Sequence, residues 1–201
     1  MSAVASSSAQ SVAPEITPSR AIRLLRVAVL LIAGLVIAFS ATMHEHLGFD
    51  LGVATAALGA IGIAHGIEWF SLRAPARTVV PLLLGIIAVV GAVLLPFAGE
   101  PIAFAVIIAA WALTSALLEF IGATVRPGSR QDATLLGGVG VLLAILVLFF
   151  RDDQVAILGF FGAYALLTGV FLGISAFDTR RVAGAAGDAV GETPAARTPL
   201  A

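Results

Sequence analysis

Apolar residues fill six stretches of the chain, each about as long as a lipid bilayer is thick, and polar residues cluster in the short breaks between them. The stretches are Val27–Met43, Leu51–Leu72, Thr78–Phe97, Ile102–Ala123, Ala133–Phe150 and Gln154–Phe177, and each predicts a membrane-spanning helix. The breaks at 44–50, 98–101 and 151–153 are too short for a soluble domain and join consecutive spans into helical hairpins. Residues 1–19 and 182–201 are small, polar and proline-punctuated, with nothing to bury, so they predict disordered tails around a membrane domain at 20–181.

The six stretches are three copies of one unit. A shift of 51 residues carries Arg26 to Arg77, Gly34 to Gly85, Ala64 to Ser115, Glu68 to Glu119 and Trp69 to Phe120. A further shift of 53 carries Arg77 to Arg130, Gly85 to Gly138, Trp111 to Tyr164, Ser115 to Thr168 and Ala123 to Ala176. The repeats cover about 22–73, 77–126 and 130–181. Because each unit holds an even number of spans, all three hairpins point the same way across the bilayer. The repeats are therefore of the parallel type, related by an axis along the membrane normal.

Composition strengthens the membrane reading. With 60% hydrophobic residues, 11% charged residues and a mean hydropathy of +1.07, the chain lacks the polar surface to cover a soluble globule. A signal peptide would also begin with basic residues and an apolar core, but Val27–Met43 is longer than such a core and takes its place as half of a repeat. A net charge of -1 provides no basic face for nucleic acid. The absence of cysteine excludes disulfides, thiolate metal sites and cysteine nucleophiles. The expected partner is the lipid bilayer, with a homo-oligomer compatible and no cofactor implied.

Arginine sets the orientation. Arg20, Arg23, Arg26, Arg73, Arg77, Arg126, Arg130, Arg180, Arg181 and Arg197 fall on one side of the six-span arrangement and Arg151 alone on the other, so both termini are expected in the cytoplasm. The opposite loops carry Glu45, Asp50, Glu100, Asp152 and Asp153, an acidic outer face.

In hydrocarbon, helices associate through close backbone approach at small residues and through a few polar contacts. The second span has Gly52, Gly59 and Gly66 at seven-residue spacing and Gly62 with Gly66 as GxxxG; the sixth has Gly162, Gly169 and Gly173. These are expected packing positions, with further glycines at Gly137, Gly138 and Gly140. Trp69, Phe70, Phe120 and Phe177 fit an interfacial belt, and Trp111 and Tyr164 a deeper core.

Glu68 and Glu119 are the carboxylates read as lying inside apolar spans, at equivalent repeat positions, where the third copy has Leu172. An ionisable group at membrane depth costs about 2.5–3.5 kcal/mol and is a functional candidate by default. Glu119 lies seven residues before Arg126, roughly 10 Å along the helix, so its partner must come from another span. His65 is three residues before Glu68 and shares its helix face. Glu68, Glu119 and His65 thus form either a structural polar contact or a proton-handling set. Two ligands do not make a metal site, and His44 and His46 around Glu45 read as a solvated loop. Nothing pairs a nucleophile with a base or forms a phosphate loop or nucleotide fingerprint, so the protein is expected to be non-enzymatic.

The stretch PLLLGIIAVVGAVLLPFAGEPIAFAVIIAAWALTSALLEFIGA, Pro81–Ala123, with Gly85, Gly91 and Pro96, resembles the HdeD-like acid-resistance membrane proteins. The third copy keeps the glycine-rich even helix but lacks the proline, and the first copy has Glu45 in its place. The resemblance, over about residues 22–177, implies a small multi-pass protein of the bacterial inner membrane associated with acid or envelope stress. It implies no catalytic residues. A small proton-linked transporter or channel using the intramembrane carboxylates is the alternative.

Overall fold

The computed structural model describes residues 19–44, 46–72, 78–125 and 130–177. They form six α-helices: α1 (Arg20–Phe39), α2 (Leu47–Ser71), α3 (Val80–Leu94), α4 (Pro101–Val125), α5 (Arg130–Phe149) and α6 (Gln154–Phe177). With α3 counted through its closing 3-10 turn at Phe97, all six are long and apolar enough to cross a membrane. Except for Ser19, the tails expected at 1–19 and 182–201 lie outside the described residues, as do Glu45, Arg73, Arg77, Arg126, Arg180, Arg181 and Arg197.

Local chemistry sets the helix ends. Pro81 occupies the first turn of α3 and Pro101 opens α4, positions where a missing N–H costs nothing. Pro96 cannot continue α3 as a regular helix, and the chain tightens there into the 3-10 turn Leu95–Phe97. Asp153 caps α6, its Oδ1 accepting from the Val155 and Ala156 N–H groups at 3.0 and 3.1 Å. One boundary differs in a way that matters: α2 begins at Leu47 rather than Leu51, so Asp50 belongs to its first turn and not to a loop.

The helices alternate in direction. The short connections after α1, α3 and α5 mark the turn end of the bundle; the starts of α1, α3 and α5 meet the ends of α2, α4 and α6 at the terminal end. The closest pairs are α2 with α3, α4 with α5 and α6 with α1, whereas helices joined by the short turns touch less. The two helices of each hairpin are therefore packed more loosely than the helices that meet between units.

Glycine placement supplies the physical reason. A Cβ on Gly62 would lie 3.1 Å from the Gly85 carbonyl oxygen, and one on Gly85 would lie 3.1 Å from the Gly62 carbonyl oxygen, so α2 and α3 meet backbone to backbone. Gly34, Gly162, Gly169 and Gly173 line the α1–α6 contact, and Gly137 and Gly140 the α4–α5 contact. The seven-residue stripe is corrected here: at Gly52, Gly59 and Gly66 an added Cβ would meet nothing within 4 Å. The face of α2 turned to α3 is centred on Gly62, and Gly66 approaches α3 only through its backbone nitrogen, 3.5 Å from a Cβ placed on Gly85.

Most of the turn-end half of the interior is apolar. Leu58, Leu95, Phe104, Ile108, Val147, Ile157, Leu158 and Phe161 are fully buried there in one continuous cluster. Outward, Ile32, Phe39, Ile63, Val93, Leu117, Leu167 and Ile174 are exposed around the bundle, the surface expected of a protein solvated by lipid. Phe70 and Phe177 are exposed at the terminal end, where Arg20 lies 4.6 Å over the Phe177 ring.

Candidate functional site

Helix α2 buries one stripe, Asp50, Ala54, Ala57, Ile61, Ala64 and Glu68, at alternating four- and three-residue spacing. Asp50 and Glu68 are 18 residues apart, five full turns and roughly 27 Å, so both point into the bundle from opposite ends. Each anchors a polar cluster.

At the terminal end, Arg26 of α1 turns inward between two even-numbered helices. Its Nη1 donates to Glu68 Oε2 at 3.1 Å, and its Nη2 lies 3.7 Å from Glu119 Oε1. The guanidinium fork reaches two acceptors in different directions, which a lysine ammonium could not do in the same geometry. His65, one turn back from Glu68, places Nδ1 3.9 Å from Glu68 Oε2, too far for a hydrogen bond. That nitrogen is buried without a hydrogen-bond partner among the described residues.

Two small cavities flank this centre. One, of about 30 Å³, lies toward the middle of the bundle and is lined by Arg26, His65, Ser115, Glu119, Tyr164 and Thr168 among others. Its apolar wall includes Trp111, whose ring meets Tyr164 and Phe161 edge-on at 5.6 and 5.5 Å. The other, of about 50 Å³, lies toward the terminal end and is lined by Arg26, His65, Glu68 and Glu119 with Val80, Pro81, Gly122 and Ala133. Arg26, His65 and Glu119 face both.

The sequence-predicted set Glu68, Glu119 and His65 is thus brought together, and the partner required for Glu119 from another span is Arg26. The sequence places Arg26 only among the arginines that set the orientation. The corrected position carries a recognisable signal: Arg26 shares its helix face with buried Leu30, Ala33 and Ile37, at four, seven and eleven residues on.

At the turn end, a second cluster replaces the expected solvated loop. His44 is 5% exposed and Asp50 0%, so neither belongs to a solvated acidic face, while His46 is exposed. His44 Nδ1 and Asp50 Oδ1 are 2.6 Å apart, and His44 Nε2 donates to the Ile37 carbonyl oxygen at 3.0 Å. With Nε2 committed as a donor, a single proton sits between Nδ1 and Oδ1, giving an ion pair or its neutral tautomer. Gln154 Nε2 donates to the His44 carbonyl oxygen at 3.1 Å and ties the start of α6 to the same knot. Asp50 Oδ2 is buried and meets no donor among the described residues. A fourth inward-facing carboxylate is Asp132 of α5, which accepts from Ser175 Oγ of α6 at 2.6 Å. Glu68 and Glu119 are therefore joined by Asp50 and Asp132 as carboxylates inside the helices.

The His44 knot makes a stability prediction. His44→Leu leaves the Asp50 carboxyl buried without its donor and should cost about 1–3 kcal/mol in detergent unfolding. Adding Asp50→Leu should recover much of that loss. If the double variant is no better than the single one, the histidine acts through packing on Phe49, whose ring is 5.8 Å away, and not through the hydrogen bond.

No known protein family, no curated protein and no solved structure matches the chain.

Proposed function

We propose that this multi-pass membrane protein is non-enzymatic and that its Arg26–Glu68–Glu119–His65 centre takes up and releases a proton. The observation that carries this reading is the convergence of four ionisable side chains from three helices on cavities at membrane depth, where each is costly to hold and a lone structural contact would need only two. His65 has a buried ring nitrogen without a hydrogen-bond partner among the described residues, and Glu68 is bound through the same oxygen that approaches it. The turn-end half of the bundle is closed in this conformation, so an open channel is disfavoured and any transport of the proton requires a rearrangement.

Infrared difference spectroscopy of the purified protein through an acid titration tests this. A carboxylic-acid C=O component should appear in the parent and be missing from Glu68→Gln/Glu119→Gln, over the shared bands of the other carboxyls, with the fold retained. A parent that stays folded through the titration without any such band assignable to Glu68 or Glu119 has a permanent ion-pair clasp there, and the proton-handling reading fails.

The three-repeat architecture with cytoplasmic termini belongs to the same proposal. The repeat is supported by the helix pairs α2–α3, α4–α5 and α6–α1, which follow one rule, and by Ala64, Ser115 and Thr168, equivalent positions in the three copies that line one cavity; the cytoplasmic termini rest on the arginines of that side. A place in acid or envelope stress tolerance in the bacterial inner membrane rests on the resemblance of Pro81–Ala123 to HdeD-like proteins. Survival of a deletion strain after acid challenge, with and without the complementing gene, addresses it separately.

A further inference from the structure

The two cavities beside the ionisable centre differ in one respect that bears on how a proton reaches it. The larger abuts the starts of α3 and α5 and the end of α4 through Val80, Pro81, Gly122 and Ala133, all within the first or last turns of their helices at the terminal end. The smaller lies deeper, and beyond it stand Trp111 and the fully buried Phe104, Ile108, Ile157, Leu158 and Phe161. Volumes of about 30 and 50 Å³ each exceed the roughly 10–15 Å³ that one water requires. Water also needs polar partners. His65 Nδ1 is buried without a hydrogen-bond partner, and His65 faces both cavities, as do Arg26 and Glu119.

We infer that the two cavities hold ordered water, that this water satisfies His65 Nδ1, and that it connects the centre to the aqueous phase at the terminal end and not at the turn end. The inference rests on the proton-handling reading for its purpose, and it names the route: protons enter and leave from the side carrying the chain termini. Between the cavities and the His44–Asp50 knot, the buried aliphatic and aromatic side chains of Phe104, Ile108, Ile157, Leu158 and Phe161 offer water no hydrogen-bond partners and form the barrier on the other side.

The chain has no cysteine, so single thiols report water access without background. Gly122→Cys places a thiol beside the larger cavity, Ser115→Cys is nearly isosteric beside the smaller one, and Ile108→Cys lies in the apolar half. Ag⁺ is small enough to follow water and reacts with the thiolate, which forms only where water can take the proton. Each variant is exposed to Ag⁺ from one side of sealed vesicles, and protection is read by maleimide labelling after denaturation. Gly122→Cys and Ser115→Cys should both be protected at least about tenfold faster from the terminal end than from the turn end, and Ile108→Cys from neither. If Gly122→Cys fails to assemble, Ala133→Cys takes its place.

The inference is overturned if Ser115→Cys resists Ag⁺ from both sides while the Gly122 or Ala133 thiol reacts, which would show a sealed inner chamber. It is equally overturned if Ser115→Cys reacts as fast from the turn end. Either result leaves the infrared test of the carboxyls standing, so failure of the route and failure of the proton site are told apart.

Discussion

Arg26→Leu should be the most damaging single substitution in the bundle. It removes the hydrogen-bonded partner of a buried glutamate, and breaking a buried ion pair by deleting one member costs about 3–5 kcal/mol because the remaining charge stays uncompensated. Unfolding in mixed micelles should register that loss, and Arg26→Leu/Glu68→Gln should recover a large part of it. Arg26→Lys should fall between, since one ammonium can hold Glu68 or reach toward Glu119 but cannot span both. If Arg26→Leu is neutral, the centre contributes nothing to assembly and its conception as a buried pair is wrong.

The second large effect is steric. Gly34→Ala would place its Cβ 2.5 Å from Leu166 Cγ and 3.0 Å from the Gly162 carbonyl oxygen; Gly62→Ala would place it 2.7 Å from Val89 Cγ2 and 3.1 Å from the Gly85 carbonyl oxygen. Side chains can yield, but the carbonyl oxygens belong to the facing helices, so relief means moving the helices apart. Each substitution should cost about 1–3 kcal/mol. Gly59→Ala is the matched control: with nothing within 4 Å it should be neutral or stabilising by up to about 1 kcal/mol. Equal effects at Gly34, Gly62 and Gly59 would mean that the helix pairs are not held by close backbone approach.

Six spans and their limits were legible because hydrophobic length is a one-dimensional property, and the structure moves most boundaries by only a few residues. The placement of Glu68 and His65 side by side was legible because three residues along a helix fix a shared face. What the sequence hid is three-dimensional. Gly52, Gly59 and Gly66 have the spacing of a packing seam, yet spacing alone does not say which face meets a neighbour, and that face falls on Gly62. Arg26 has the appearance of an interfacial anchor, and only its register with Leu30, Ala33 and Ile37 marks it as inward. His44 and Asp50 are close to a turn, where polarity suggests solvent. Their burial depends on α6 arriving beside them with Gln154, a contact 110 residues away.

The stripe on α2 has a mechanical consequence. This helix contains no proline between Leu47 and Ser71, so it behaves as one stiff rod pinned twice, by Asp50 to His44 and by Glu68 to Arg26. Turning the rod by a single residue, roughly 100°, would swing both carboxyls out of the bundle together. Rotation about its own axis is therefore barred unless both pins release at once, whereas tilting about either pin strains only the other. A bundle built this way can open at one end while the opposite end serves as the pivot.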